Sequence, residues 1–268
     1  MKVLTNMPAV LNYNDMKANN SKLDVTSHKL STGKMFNNAI ENPSLMGLSE
    51  RNDMAIRSLK VAIENMTAGK SYYQAADTAY QEVSDTLKQM KEVLTRAKNG
   101  TYSTDDKATM SQQLIKLWSH IQTIATNATY NGDKLIDGSL SVILQVGNSD
   151  SDIFTVVAGS ATVTALGLST AGTFSITNAS ALANINNALL NLSDKRGGIG
   201  HASERLDNMI SIVNVSVDNY TSVQSSMQDT DVASEMIKFT AQQVIQQASQ
   251  AMLAQSNMRV QNLLALFR

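Results

Sequence analysis

Three histidines, His28, His120 and His201, are the side chains here best suited to ligate a metal or carry a proton at neutral pH. They lie far apart on different predicted helices, with no His-x-x-x-His pair and no cysteine partner. The spacing that holds a zinc ion is missing, so they read as solvated or seam-edge histidines. The carboxylates Glu82 with Asp85, and Asp105 with Asp106, are the candidates for general acid and base work. They fall on solvated helix faces or helix starts, where nothing pushes two pKa values apart. The cluster Gly197-Gly198-Ile199-Gly200 lacks the full glycine fingerprint of a nucleotide loop and has no preceding strand. It reads as a weak point inside a helix. Serines abound without a G-x-S-x-G elbow. The residues therefore argue against an enzyme and imply no cofactor.

The elements that would position such groups are more informative. Leu59, Met66, Tyr73, Tyr80, Leu87 and Leu94 recur every seven residues, shadowed three residues on by Ala62, Gly69, Ala76, Val83, Met90 and Ala97. That is the two-column seam of a coiled coil. In the second half Ile185, Leu192, Ile199, Leu206, Val213, Tyr220 and Met227 repeat the spacing, with Leu189, Ile210 and Val217 in the companion column. A helix from about 53 to 99 would be roughly 70 Å long at about 1.5 Å per residue. No compact domain of 268 residues needs that.

Apolar residues make up 43% of the chain but aromatics only 5%, which predicts a thin, elongated core of Leu, Ile, Met, Val and Ala. The 14 methionines fall mainly on the helical stripes and read as core filler. A net charge of -1 and a pI near 6.3 remove the basic footprint of a nucleic-acid binder. Without cysteine there is no disulfide framework, thiolate zinc site or Cys nucleophile. The opening MKVLTNMPAVLNYNDM has no continuous apolar core of a cleaved signal, and no run reaches a membrane span. The expectation is a protein that is cytosolic, or exported with its N-terminus intact.

Along the chain, residues 1–33 predict a weakly amphipathic helix with Leu11, Met16, Leu23 and Leu30 on one stripe, ended by Gly33. Residues 34–43 predict a linker, since Asn42 precedes a proline. A long helix follows with Ser44 as its N-cap, and a shorter one spans about 104–129 with Thr104 as its cap. Gly147 to Asp150 separates two β-rich runs, predicting a hairpin at about 139–158. Residues 158–180 are rich in Gly, Ser, Thr and Ala and predict a loop-like excursion with a short strand at Thr173 to Thr177. A second long helix covers about 179–228, and Asp231 caps a last one from Val232 to Leu266. That last segment to the C-terminus carries only Glu235, Lys238, Arg259 and Arg268 as charges, so it has no charged face. The fold class is mainly α: long antiparallel helices in a coiled-coil bundle with a small hairpin. Three segments result, 1–43, 44–228 and 229–268. The two ends should be poorly ordered alone and become ordered against other copies, in contacts that do not close and so build a helical filament.

The sequence resembles bacterial flagellin. Leu11, Met16, Leu23 and Leu30 followed by STG are similar to the family's L-x4-L-x6-L-x6-L-S-S-G opening. LKQMKEVLTRAKNG, then Tyr130-Asn131-Gly132 with Lys134-Leu135, then Leu144-Gln145-Val146-Gly147, resemble successive family elements in collinear order. The ending DTDVASEM, QQASQAMLAQSN and NLLALFR resembles the C-terminal signature. The resemblance implies a subunit of the extracellular flagellar filament, a homopolymer used for motility, with both termini in an inner tube. The segment between hairpin and last long helix is too short for outer domains. It further implies secretion through the flagellar type III export apparatus, an export chaperone wrapping residues 232–268, and contacts with hook-filament junction and cap proteins. The terminal assembly and chaperone-binding residues are then Leu11, Met16, Leu23, Leu30, Val244, Ala248, Met252, Leu263, Leu264, Leu266 and Phe267. Gln89 and Gln113 stand where the family's innate immune receptor surface has an Arg and a Glu, which predicts weakened receptor binding. The alternatives are a hook-filament junction protein and a coiled-coil adaptor that does not polymerise.

Overall fold

The computed structural model describes residues 6–168 and 175–266, with side chains as far as Asn262. Helix α1 (Met7–Thr32) starts where the Asn6 side chain accepts from the Ala9 N–H, and stops at Gly33, whose φ of 69° only glycine adopts freely. Helix α2 (Pro43–Ala97) is capped by Asn42, whose Oδ1 accepts from the Leu45 N–H at 3.1 Å, and not by the expected Ser44. Pro43 in the first turn has no N–H to leave unpaired. Helix α3 (Thr104–Asn127) is likewise capped one residue before the expected Thr104: Ser103 and Asp106 form a reciprocal capping box.

Strands β1 (Thr129–Tyr130) and β2 (Asp133–Lys134) close around Asn131 and Gly132, both at positive φ, the turn that matches strand twist. Strands β3 (Ser141–Gln145) and β4 (Ile153–Val157) pair antiparallel with Ile143 opposite Thr155. Helix α4 (Ala181–Gln228) runs unbroken through Gly197, Gly198 and Gly200, where added side chains would meet open space. The last helix, α5 (Val232–Leu266), begins where Asp231 accepts from the Ala233 and Ser234 N–H groups. Residues 175–177 form a turn and no strand; the rest of the expected strand at Thr173 to Thr177 lies outside the described residues.

Residues 55–218 make one compact unit; residues 1–54 and 219–268 make the other. In the first, both columns of α2 are buried: Leu59, Met66, Tyr73, Tyr80, Leu87 and Leu94, with Ala62, Ala76, Val83, Met90 and Ala97. From α4 come Ile185, Leu192, Ile199 and Leu206, and from α3 Leu114, Ile121 and Ala125. The hairpin lays Leu144, Phe154 and Val156 against this core. A Cβ on Gly69 would overlap Leu144 Cδ1, which is why the companion column carries glycine there.

Residues 158–168 form the expected loop, and it is packed against the core. Ala158, Ala161, Val163, Leu166 and Leu168 are buried, and Trp118 Nε1 donates to the Leu168 carbonyl at 2.7 Å. Polar ties finish the unit: Arg196 holds Asp77 through two bonds, and the Tyr80 hydroxyl donates to the Gly159 carbonyl.

The heptad column of α4 drifts. Val213 is half-buried, burial passes to Val217 and Gln224, and Tyr220 is 38% exposed while Met227 is half-buried. A straight helix of 3.6 residues per turn rotates about 20° per heptad against a strict seven-residue repeat, so a column followed far enough leaves the buried face.

Candidate assembly surface

The second unit pairs α1 with α5 antiparallel, and its chemistry is unusual. The shielded positions of α1 are Ala9, Asn12, Met16, Asn19, Leu23, Thr26 and Leu30, alternating steps of three and four. On α5 they are Glu235, Phe239, Gln242, Gln246, Ser249, Leu253, Ser256 and Val260, in the same rhythm. This is coiled-coil geometry in which amides and hydroxyls are as frequent as apolar residues. Asn19, only 8% exposed, donates through Nδ2 to the Gln242 carbonyl at 2.9 Å, and Asn6 donates to the Ser256 carbonyl at 3.2 Å. Buried Glu235 is held by Lys238 at 2.8 Å.

Many of the large apolar residues face outward. Met7, Val10, Leu11, Tyr13 and Val25 on α1, and Met236, Ile237, Val244, Ile245, Met252 and Met258 on α5, are all exposed, Ile237 by 70% and Val244 by 64%. A pair of helices stabilised as a finished unit would do the reverse, because burying a large aliphatic side chain contributes about 1.5–3 kcal/mol. Contiguous apolar surface of this kind marks a protein contact. Within one chain the two helices are formed and paired.

Of the expected terminal residues, Met16, Leu23 and Leu30 line the seam. Leu11, expected on the same stripe, is 57% exposed on another face, because its five-residue step to Met16 breaks the three-and-four rhythm. Val244, Ala248 and Met252 are on the exposed surface. The side chains of Leu263, Leu264 and Leu266, and all of Phe267, lie outside the described residues. Gln89 and Gln113 are exposed on α2 and α3. Sequence reading missed Asn12, Asn19, Thr26, Gln242 and Gln246; their three-and-four spacing was the available signal.

The candidates for chemistry are not brought together. All three histidines are exposed, and His120 Nε2 stands 3.7 Å from an exposed Glu82 Oε1. Lys88 and Gln81 hold Asp85 below the usual carboxylate range. An open groove of about 430 Å³ lined by Ala75, Ala79, Ile124, Ala128 and Leu135 offers Glu82 as its carboxylate, with no second acid beside it. Among the described residues no three metal-ligating side chains converge, and no helix is long and apolar enough to cross a membrane.

Comparison with known proteins accounts for this arrangement. The model of the bacterial flagellin N-terminal helical region matches residues 3–141, and that of the C-terminal helical region matches residues 182–267. The chain is 30% identical to a flagellin of Bacillus subtilis, covering 100% of both chains, and 27% identical to a flagellin of Treponema pallidum, covering 98% of both. A solved chain from Vibrio parahaemolyticus, named for a flagellar hook-associated protein, matches with a TM-score of 0.55 over 71% of this chain and 98% of that one. At 15% identity that is a likeness of fold alone. The two helical regions, collinear and together spanning most of the sequence, place this chain in the bacterial flagellin family.

Proposed function

We propose that this protein is a structural subunit that self-assembles into the extracellular bacterial flagellar filament and serves motility as a mechanical polymer, not as an enzyme. One observation carries the reading: α1 and α5 share a mixed seam of amides, hydroxyls and a few apolar residues and leave many large aliphatic and methionine side chains exposed. Such a surface is satisfied by further copies in heterologous contacts that do not close. A non-polymerising adaptor would need charge on those outer faces, and α5 has almost none.

Residues 1–43 and 229–268 then form the inner tube, and residues 44–228 the layer around it. Before assembly the exposed face of α5, with Val244, Ala248 and Met252, is the surface for an export chaperone, and the chain leaves through the flagellar type III export apparatus. Hook-filament junction and cap proteins meet the same terminal surfaces at the filament ends. Gln89 and Gln113, exposed and uncharged, weaken recognition by an innate immune flagellin receptor. Seeding purified protein with sheared filament fragments and viewing it by electron microscopy tests the reading. Long tubes are the expected result, and persistent monomers under all such conditions contradict it.

A further inference from the structure

The hydrogen bonds across the α1/α5 seam have a property that bears on how the pair is aligned. Asn19 donates to a backbone carbonyl of α5, and Asn6 donates both to a backbone carbonyl and, at 3.4 Å, to Asn257 Oδ1. A helix presents an equivalent carbonyl seven residues further along, so the backbone bonds, though not the one to Asn257, would re-form after a slip of one heptad. Several seam residues recur at that spacing, Met16, Leu23 and Leu30 on α1 and Ser249 and Ser256 on α5, whereas Glu235 and Phe239 occur once.

A backbone fix on register lies at the foot of the pair. Lys34 and Asp229 form an antiparallel bridge in which the Met35 N–H donates to the Gln228 carbonyl at 2.6 Å and the Thr230 N–H to the Gly33 carbonyl at 2.9 Å. The bridge is flanked by fixed points. Gly33 ends α1 at positive φ, the Ser225 hydroxyl donates to the Asp229 carboxylate at 2.6 Å, and Asp231 starts α5. Helical rise then carries the alignment outward, bringing Asn19 to Gln242 and Asn6 to Ser256: thirteen residues along α1 against fourteen along α5.

We propose that this two-strand bridge, residues 33–35 with 228–230, is the register clamp of the terminal helix pair. It fixes which exposed apolar residues of α1 stand level with which of α5, and so composes the surface offered to the next copy. The inference rests on the polymer reading for its consequence, though not for the alignment itself. Met35 and Thr230 act through their backbone N–H groups as positioning residues; Asn19 is adhesive.

The absence of cysteine gives a clean test. Met16 lies three residues before Asn19, and Gln246 four residues after Gln242, so Met16→Cys with Gln246→Cys should form a disulfide in the monomer. Met16→Cys paired with Phe239→Cys or Leu253→Cys reports a slip of one heptad either way. In the parent chain and in Thr230→Ala, which keeps the N–H, only the 16–246 link should form. In Met35→Pro/Thr230→Pro, which lacks both donors, a slipped link should appear, and the pelletable polymer should fall at least tenfold. Asn19→Leu should keep the parent pattern. A single 16–246 link in the double proline variant overturns the proposal, as does slippage in Asn19→Leu. Loss of all three links also overturns it, since the bridge would then hold the pair together instead of aligning it. Cross-links are read on monomer and polymer by sedimentation of the parent, so failure of the clamp and failure of the polymer reading give different results.

Discussion

One methyl group decides the fit at position 69. With Leu144 Cδ1 overlapping where a Cβ would sit, Gly69→Ala must push the buried Leu144 side chain out of its place, and overpacking of this kind costs about 1–3 kcal/mol. Gly47, in the exposed first turns of α2 with no atom within 4 Å of a built Cβ, is the control. Gly47→Ala should instead stabilise by about 0.5–1 kcal/mol, through helix propensity. Urea titration of both variants reads the difference in sign. Tyr80 makes a second residue-scale statement. Burial pushes its hydroxyl up to about 12, so the folded chain keeps a proton that the unfolded chain releases from about pH 10 upward. This contribution is fully present below pH 10 and is lost as pH rises toward 12. Denaturation midpoints should therefore fall across that range. Tyr80→Phe should cost about 1 kcal/mol at pH 8, where the Gly159 carbonyl loses its partner, and should fall less steeply at alkaline pH. A parent and variant with parallel alkaline profiles would refute the assignment.

Individual elements were legible where a local signal was strong. Gly33, Asp231 and the Gly147 to Asp150 turn gave helix and hairpin ends, since each works through its own backbone geometry or capping bonds. Caps with two neighbouring candidates were less legible. Ser103 and Thr104 are both good capping residues, and only the reciprocal bond to Asp106 decides between them. Ser103→Ala should cost about 1 kcal/mol and Thr104→Ala about half that or less, by thermal melting. The segment 158–168 was read as a loop, but its packing was hidden by composition: Val163, Leu166 and Leu168 are scattered among Ser, Thr and Ala, and they pack into the long-range core. Apolar periodicity showed the α1/α5 seam only in part, through Met16, Leu23 and Leu30, because its other positions are largely Asn, Thr, Gln and Ser. For Tyr220 the strict heptad was the wrong rule, since an unsupercoiled helix turns its column away from the core.

At the scale of the whole molecule, the two compact units place their large apolar side chains differently. Residues 55–218 pack their heptad columns into a core, although Ile143, Leu190 and Ile212 remain exposed. The terminal unit mixes polar and apolar groups between its helices and leaves more of its large apolar side chains outside, surface that other molecules can bury. The candidate site was thus half legible: uncharged terminal helices could be read from composition, but which of their faces meets the partner helix and which meets another copy needed the structure. Methionine oxidation measures this exposure directly, because a thioether reacts where peroxide reaches it. Met7, Met236, Met252 and Met258 are at least half exposed in the single chain, whereas Met66 and Met90 are fully buried. Limited peroxide treatment of monomer and of pelleted polymer, followed by peptide mass spectrometry, should show the four terminal methionines oxidised in the monomer and protected at least tenfold in the polymer, with Met66 and Met90 protected in both. Equal oxidation of the terminal methionines in the two states would contradict the claim that their faces are covered by other copies.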